Sequence, residues 1–280
     1  MPRKLIYQGI SIVEVASLDE FYKIGRIDLA ALPKRKYFQN ENLVIKATRG
    51  SALAIVKNTE AVRVQDVGAY GILPRNKEQI LALSMLLDPS IAAVTLTGAA
   101  GTGKTLLTIA AALQQSSGSK ATYRKIIYIK SAIPVGKEIG FLPGNFDEKL
   151  DPFFGALHDC IHLCGNTKDF EKLTGWDEKS KIQKMASSFV RGRTFRKAFV
   201  IVDECQNFST HELKTMLTRL DDDSKIVLVG DIDQADIKLK PEDDGLVQVI
   251  ETFKEESMFG HINLIKSERS KLAQLVAEKL

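Results

Sequence analysis

Eight consecutive residues, Gly98-Ala99-Ala100-Gly101-Thr102-Gly103-Lys104-Thr105, have the make-up of a loop that holds phosphate. The spacing is Gly, four residues, then Gly-Lys-Thr. Glycines at 98, 101 and 103 let the backbone turn tightly and aim its N–H groups at phosphate oxygens. A helix N-terminus behind them adds partial positive charge. Lys104 is suited to reach the β- and γ-phosphates, and the Thr105 hydroxyl to bind Mg2+.

Two acids form the next group. Phe199-Val200-Ile201-Val202-Asp203-Glu204 is an apolar run ending in two carboxylates, about 100 residues after the loop. In a phosphate-loop protein such a strand supplies an Asp to the Mg2+ shell. Asp203 takes that metal role here, and Glu204 the role of polarising the attacking water. Leu228-Val229-Gly230-Asp231-Ile232-Asp233-Gln234 is a further strand ending in polar groups. Asp231 and Gln234 then fall at the carboxyl edge of the sheet, where open α/β sheets bind ligands. Gln234 is the candidate γ-phosphate sensor. Upstream, the Gln79 side-chain amide has the donor and acceptor needed to read an adenine edge, although an exposed helix Gln beside an Asn76 cap is the plainer reading.

Other clusters weigh less. His158, Cys160, His162 and Cys164 suggest a metal, but residues two apart point to different helix faces, so one helix cannot gather all four. The loop 133–145 combines Gly136, Gly140 and Gly144 with Lys137 and Phe141, and reads equally as an RNA contact or a structural loop. Arg191, Arg193, Arg196 and Lys197 form a basic run, and Lys34-Arg35-Lys36-Tyr37-Phe38 a basic–aromatic one.

Positioning these residues requires particular elements. The apolar run Ala92–Thr97 before the loop reads as a buried strand, and Leu106–Leu113 after it as a helix. Short apolar strands at 93–97, 125–130, 199–202, 225–229 and 262–265 alternate with helices at 76–87, 104–114, 152–163, 210–220 and 269–280. That alternation predicts a parallel sheet covered on both faces. The polar stretch 165–190 shows no clear element. Residues 1–70 differ. Leu5 to Val15 is β-rich, Ser17-Leu18-Asp19-Glu20 reads as a capping box, and Arg49-Gly50-Ser51 as a hairpin turn between two apolar runs, with a further strand at 61–64. The expected organisation is a small β-rich N-terminal subdomain over 1–70 and an α/β phosphate-loop domain of the RecA type over 71–280.

Composition sets bounds. The 280 residues are 44% hydrophobic and 26% charged, with a formal net charge of +4. That is ordinary for a globular chain, and too weakly basic to argue for nucleic acid alone. Three cysteines make no disulfide framework and fit a reducing, cytoplasmic setting. No run approaches the roughly 18 apolar residues of a membrane span.

Taken together, these motifs resemble the PhoH family of phosphate-loop ATPases, which is related to the core of superfamily-1 helicases. The resemblance covers roughly 71–280. It includes Pro74-Arg75-Asn76-Lys77-Glu78-Gln79, Pro134 to Gly144, Glu148-Lys149-Leu150, Arg191-Gly192-Arg193-Thr194, Val202 to Asn207, His261-Ile262-Asn263-Leu264 and Ser267-Glu268-Arg269-Ser270. Two positions depart from the family pattern: Lys130-Ser131 stand where Arg-Pro is usual, and Cys205 where Ala is usual. Residues 1–70 look like the β-rich segment that follows a PIN nuclease in longer members. No acid set before residue 70 could form a PIN metal site, so nuclease activity is not carried over.

The resemblance implies ATP and Mg2+ as cofactors, hydrolysis by water activated at Glu204, and coupling to RNA or another single strand. It also implies a homo-oligomer, a hexameric ring. A superfamily-1 site closes between two such domains, and this length holds one. A neighbouring subunit would then supply the arginine finger. Arg269 is the first candidate, although capping the final helix is an equal reading of it, with Arg219 and Arg193 behind it. Two rivals stay open: an ATP-gated RNA-binding scaffold with little turnover, and a small-molecule kinase.

Overall fold

The computed structural model describes residues 6–131, 151–165, 173–177, 179–234 and 244–268. The loop 133–145, Arg269 and the expected helix 269–280 lie outside them.

Strands β1 (Ile10–Glu14), β2 (Arg26–Asp28), β3 (Asn42–Lys46), β4 (Ser51–Lys57) and β5 (Glu60–Arg63) form one sheet, in the order β1-β3-β4-β5-β2. The β3–β4 hairpin turns where expected, with Gly50 at φ +99°. β1 joins β3 in parallel, while the other pairs are antiparallel. Helix α1 (Asp19–Ile24) opens without the predicted capping box. The Ser17 hydroxyl accepts from the Asp19 N–H at 3.1 Å and donates to the Asp19 carboxylate at 2.8 Å, so Ser17 is committed to Asp19.

The second sheet has seven parallel strands: β6 (Ala93–Gly98), β7 (Lys125–Lys130), β8 (Thr174–Gly175), β9 (Ile182–Ala186), β10 (Ala198–Val202), β11 (Lys225–Gly230) and β12 (Phe259–Leu264). Their order is β12-β6-β11-β10-β7-β9-β8. Ile126–Ile129, Phe199–Val202 and Ile226–Val229 are buried throughout, which parallel strands covered on both faces require. Helices α2 (Lys77–Leu87), α3 (Lys104–Ser116) and α4 (Gly155–Leu163) pack into the core on one face. Helices α5 (Thr210–Leu217) and α6 (Gly245–Phe253) pack into the core on the other.

Each helix has a local cause. Asn76 caps α2 by accepting the Gln79 N–H at 3.0 Å. Buried Lys225 closes the far end of α2, donating to Met85 O at 3.0 Å and Asp88 O at 2.7 Å. Ser209 and Glu212 form a full capping box on α5. Some bounds differ from expectation: α5 stops at Leu217, α4 is preceded by a 3-10 turn over Asp151–Phe154, and β12 starts three residues earlier. The polar stretch 165–190 contributes β8 and β9.

The two sheets share packing. Ile55 of β4 belongs to the same core as α2. Buried Asn42 donates to Gly9 O at 2.8 Å and to His261 O of β12 at 3.2 Å.

Candidate nucleotide site

β6 ends at Gly98 against β12. Gly98 has φ +135°, and a Cβ there would lie 2.0 Å from Leu264 O. No other residue fits. Gly101 and Gly103 follow at φ +82° and +93°, turning the chain into α3. Buried Thr102 braces the loop by donating its hydroxyl to Ala99 O at 2.9 Å. Lys104 donates to Gly98 O at 2.5 Å and Ala99 O at 2.9 Å.

Gln79 lies beneath the loop and is 5% exposed. Its amide accepts from the Arg75 N–H at 2.8 Å and donates to Thr102 O at 3.0 Å. It therefore positions the loop. One amide hydrogen and one lone pair stay available for a second partner.

Asp203 emerges from β10 and is 3% exposed. Tyr128, paired with Ile201 on neighbouring β7, donates its hydroxyl to one Asp203 oxygen. Thr105 donates to the other at 3.5 Å. Burial raises the Asp203 pKa above its ordinary value, against the opposing effects of the Tyr128 bond and Lys130. Glu204 has φ +56°, a left-handed conformation that costs a non-glycine residue energy and concentrates at functional turns.

Gln206 ties the strand ends together. It donates to the Glu204 carboxylate at 2.7 Å and accepts the Asp231 N–H at 3.0 Å. It also reaches Gln234 O at 3.5 Å. Asp231 is 7% exposed, and its Oδ2 is buried without a hydrogen-bond partner among the described residues. Burial raises its pKa, while the Asp233 N–H and Lys104 act the other way.

A cleft of about 330 Å3 gathers Gly101, Gly103, Lys104, Thr105, Asp203, Glu204, Asp231 and Gln234. Ala100 also lines it, while Gly98 and Ala99 are tied to it through the Lys104 ammonium that their carbonyls accept. Its donors are carboxylate and hydroxyl oxygens, the set Mg2+ takes. The orphan Asp231 oxygen and the Thr105–Asp203 pair fit such an ion.

Cys160 lines the cleft as well, and burial pushes its thiol up to about 12. Cys164 is pushed up to about 11 by burial. Among the described residues, no three His, Cys, Asp or Glu side chains gather as a metal group.

Several site residues went unread in the sequence. Tyr128 and Gln206 are two. The segment before Arg269 is another: the Glu268 N–H donates to Gly101 O at 3.0 Å, and Asn76 donates to the Glu268 carboxylate at 2.8 Å. The Glu78 carboxylate takes the Ile265 and Lys266 N–H groups at 2.7 and 3.1 Å. The places of Glu268, Asn76 and Glu78 inside quoted motifs were the hints at this, without showing that the two motifs meet.

Residues 71–279 match the family described as PhoH-like protein. The chain belongs to the PhoH family. It is 39% identical to Protein PhoH2 of Bacillus subtilis (strain 168) over 286 residues, covering 98% of this chain and 64% of that protein. It is 30% identical over 235 residues to a PhoH-like protein of the same strain, covering 83% of this chain and 64% of that one. This PhoH chain thus spans less than two thirds of these relatives. The large terminase from a thermophilic bacteriophage aligns over 73% of this chain and 50% of its own, with 14% identity and a TM-score of 0.44. No helix among the described residues is long and apolar enough to cross a membrane.

Proposed function

We propose that this PhoH chain hydrolyses Mg2+-ATP and couples turnover to binding and remodelling RNA or another single strand. The cleft carries the reading, because it joins the phosphate loop, a buried Asp203 facing Thr105, and Glu204. Loop N–H groups and Lys104 would hold the β- and γ-phosphates. Thr105 and Asp203 would hold Mg2+, which neutralises charge developing on the phosphates. Glu204, fixed by Gln206, would orient and deprotonate the attacking water. Gln234 would read the γ-phosphate at the opposite wall, and Gln79 would offer its remaining donor and acceptor to adenine.

Phosphate release, with and without single-stranded RNA, tests this directly. Lys104→Ala should abolish turnover without unfolding the chain. Glu204→Gln should bind ATP normally and turn over at least about a hundredfold more slowly. Wild-type turnover in Lys104→Ala sinks the assignment.

The assembly belongs to the same proposal: a homo-oligomeric, hexameric ring in which Arg269 of one subunit completes the neighbouring site. Arg269→Ala should lose turnover and keep ATP binding. Once mixed rings are shown to form, mixing with Lys104→Ala subunits should restore activity, because each mutant supplies what the other lacks. A fully active monomer in light scattering ends the model.

A further inference from the structure

Glu204 stands in a left-handed conformation where β10 gives way to a 3-10 turn over Cys205–Asn207. The Asn207 N–H donates to Glu204 O at 3.1 Å, and the Phe208 N–H to Cys205 O at 3.1 Å. The buried Cys205 thiol donates to Val202 O at 3.1 Å. These bonds fix the main chain around Glu204. None of them reaches its carboxylate, which a long side chain could carry elsewhere.

The carboxylate is held with help from the next strand. Val202 of β10 pairs with Leu228 of β11, so β11 runs on past the end of β10, and its last residue, Gly230, comes level with the turn. Gln206 spans the gap and is 3% exposed. Its amide oxygen accepts the Asp231 N–H at 3.0 Å, and its nitrogen donates to the Glu204 carboxylate at 2.7 Å. A main-chain N–H can only donate, so Asp231 settles which end of the amide is oxygen and turns the nitrogen to Glu204. The same nitrogen comes within 3.5 Å of Gln234 O, in the segment of the proposed γ-phosphate sensor.

Gly230 makes the room for this amide. A Cβ there would lie 2.8 Å from the Gln206 Oε1 and 3.2 Å from the Gln206 main-chain nitrogen. Leu246 of α6 closes in from another side, 2.8 Å from the same Cβ position. Gln206 therefore sits in a notch between β11 and α6, and its shortest bond is to the proposed base. A bond from an N–H to a carboxylate is charge-assisted and directional, which suits it to holding that group in one place.

We infer that Gln206 is a positioning residue for the attack of water: it aims the Glu204 carboxylate from the β11 side, so that the base and the Asp231–Gln234 segment keep one geometry. The inference rests on the proposed hydrolysis of ATP in this cleft and adds the neighbouring strand to the support of its base. Gln206 moves no proton itself; its contribution is aim. Misplacing a reacting group by about 1 Å can cost about a hundredfold in rate.

Phosphate release by the full chain, read as kcat and KM for ATP, tests this through double-mutant cycles with Glu204→Gln, in single turnover so that the slow rates are resolved. Gln206→Met keeps the length of the side chain and removes both ends of the amide. Its kcat should fall about ten- to a hundredfold while KM stays within about twofold, because the loss lies in the attack and not in nucleotide binding. Gly230→Ala leaves Gln206 intact and pushes its oxygen from β11. It should lower kcat in the same way, and it carries the test if Gln206→Met does not fold. In the Glu204→Gln background no carboxylate remains to be aimed, so neither substitution should cost further rate. A role confined to packing predicts losses that multiply with that of Glu204→Gln. Unchanged kcat in both variants, a rise in KM alone, or losses that multiply overturn the inference and leave the proposed hydrolysis standing. Wild-type kcat in Gly230→Ala beside a slow Gln206→Met overturns the part played by β11. Absence of phosphate release by the wild-type chain removes the reading on which the inference rests.

Discussion

Tyr128 shows how much of the site's chemistry lies outside its motifs. Its hydroxyl occupies one Asp203 oxygen, leaving the other toward Thr105. Burial already raises the Asp203 pKa, so losing a donor to the carboxylate should weaken its ionised form further. Tyr128→Phe keeps the ring packed on Phe154 and removes that bond. The Mg2+ concentration for half-maximal phosphate release should rise about tenfold, the scale of lost support behind a metal ligand. ATP binding without Mg2+ should not change. An unaltered Mg2+ requirement would refute the role. The motif residues themselves were legible because their chemistry depends on local spacing. Tyr128 and Gln206 were not, because their roles arise from strand pairing, which places residue 128 beside 201 and lets 206 span two strand ends.

At the scale of elements, apolar strands were easy to read and polar ones were not. β9 escaped because Gln183 and Lys184 look like surface residues. Both are buried, Gln183 donating to Trp176 O at 3.3 Å and Lys184 meeting Asp151. Burial of a charge that is paired looks like exposure in a sequence. The junction of β6 with the phosphate loop is the opposite case, since its glycine signalled the constraint in advance. Gly98→Ala places a methyl 2.0 Å from a β12 carbonyl in a conformation L residues avoid. It should cost at least about 2 kcal/mol in urea unfolding. It should also abolish binding of a non-hydrolysable ATP analogue. Near-wild-type stability with intact binding would show that β12 can yield there.

For the whole molecule, two sheets share buried packing, and their joint predicts common unfolding. His261 of β12 lies in that joint, fully enclosed, with Thr95 Oγ1 2.7 Å from its Nδ1 and the Tyr7 ring alongside. Burial lowers its pKa from 6.5 to about 4, and Glu251 and backbone bonds to Thr95 and Tyr7 only partly offset this. The unfolded chain therefore takes up a proton near pH 6.5 that the folded chain refuses until about pH 4. Folding stability from this group is complete above pH 6.5 and declines as pH falls through that window, by on the order of 3 kcal/mol. His261→Gln should flatten the pH dependence of urea unfolding between pH 6.5 and pH 4. Trp176 sits far along the sheet, at the β8 end, whereas β12 forms the other edge. If the two sheets unfold together, the Trp176 transition and far-ultraviolet circular dichroism should show the same acid shift in the wild-type protein and the same flattening in the variant. A Trp176 midpoint indifferent to His261→Gln, while the dichroism responds, would mean that the β12 edge and the N-terminal sheet melt on their own.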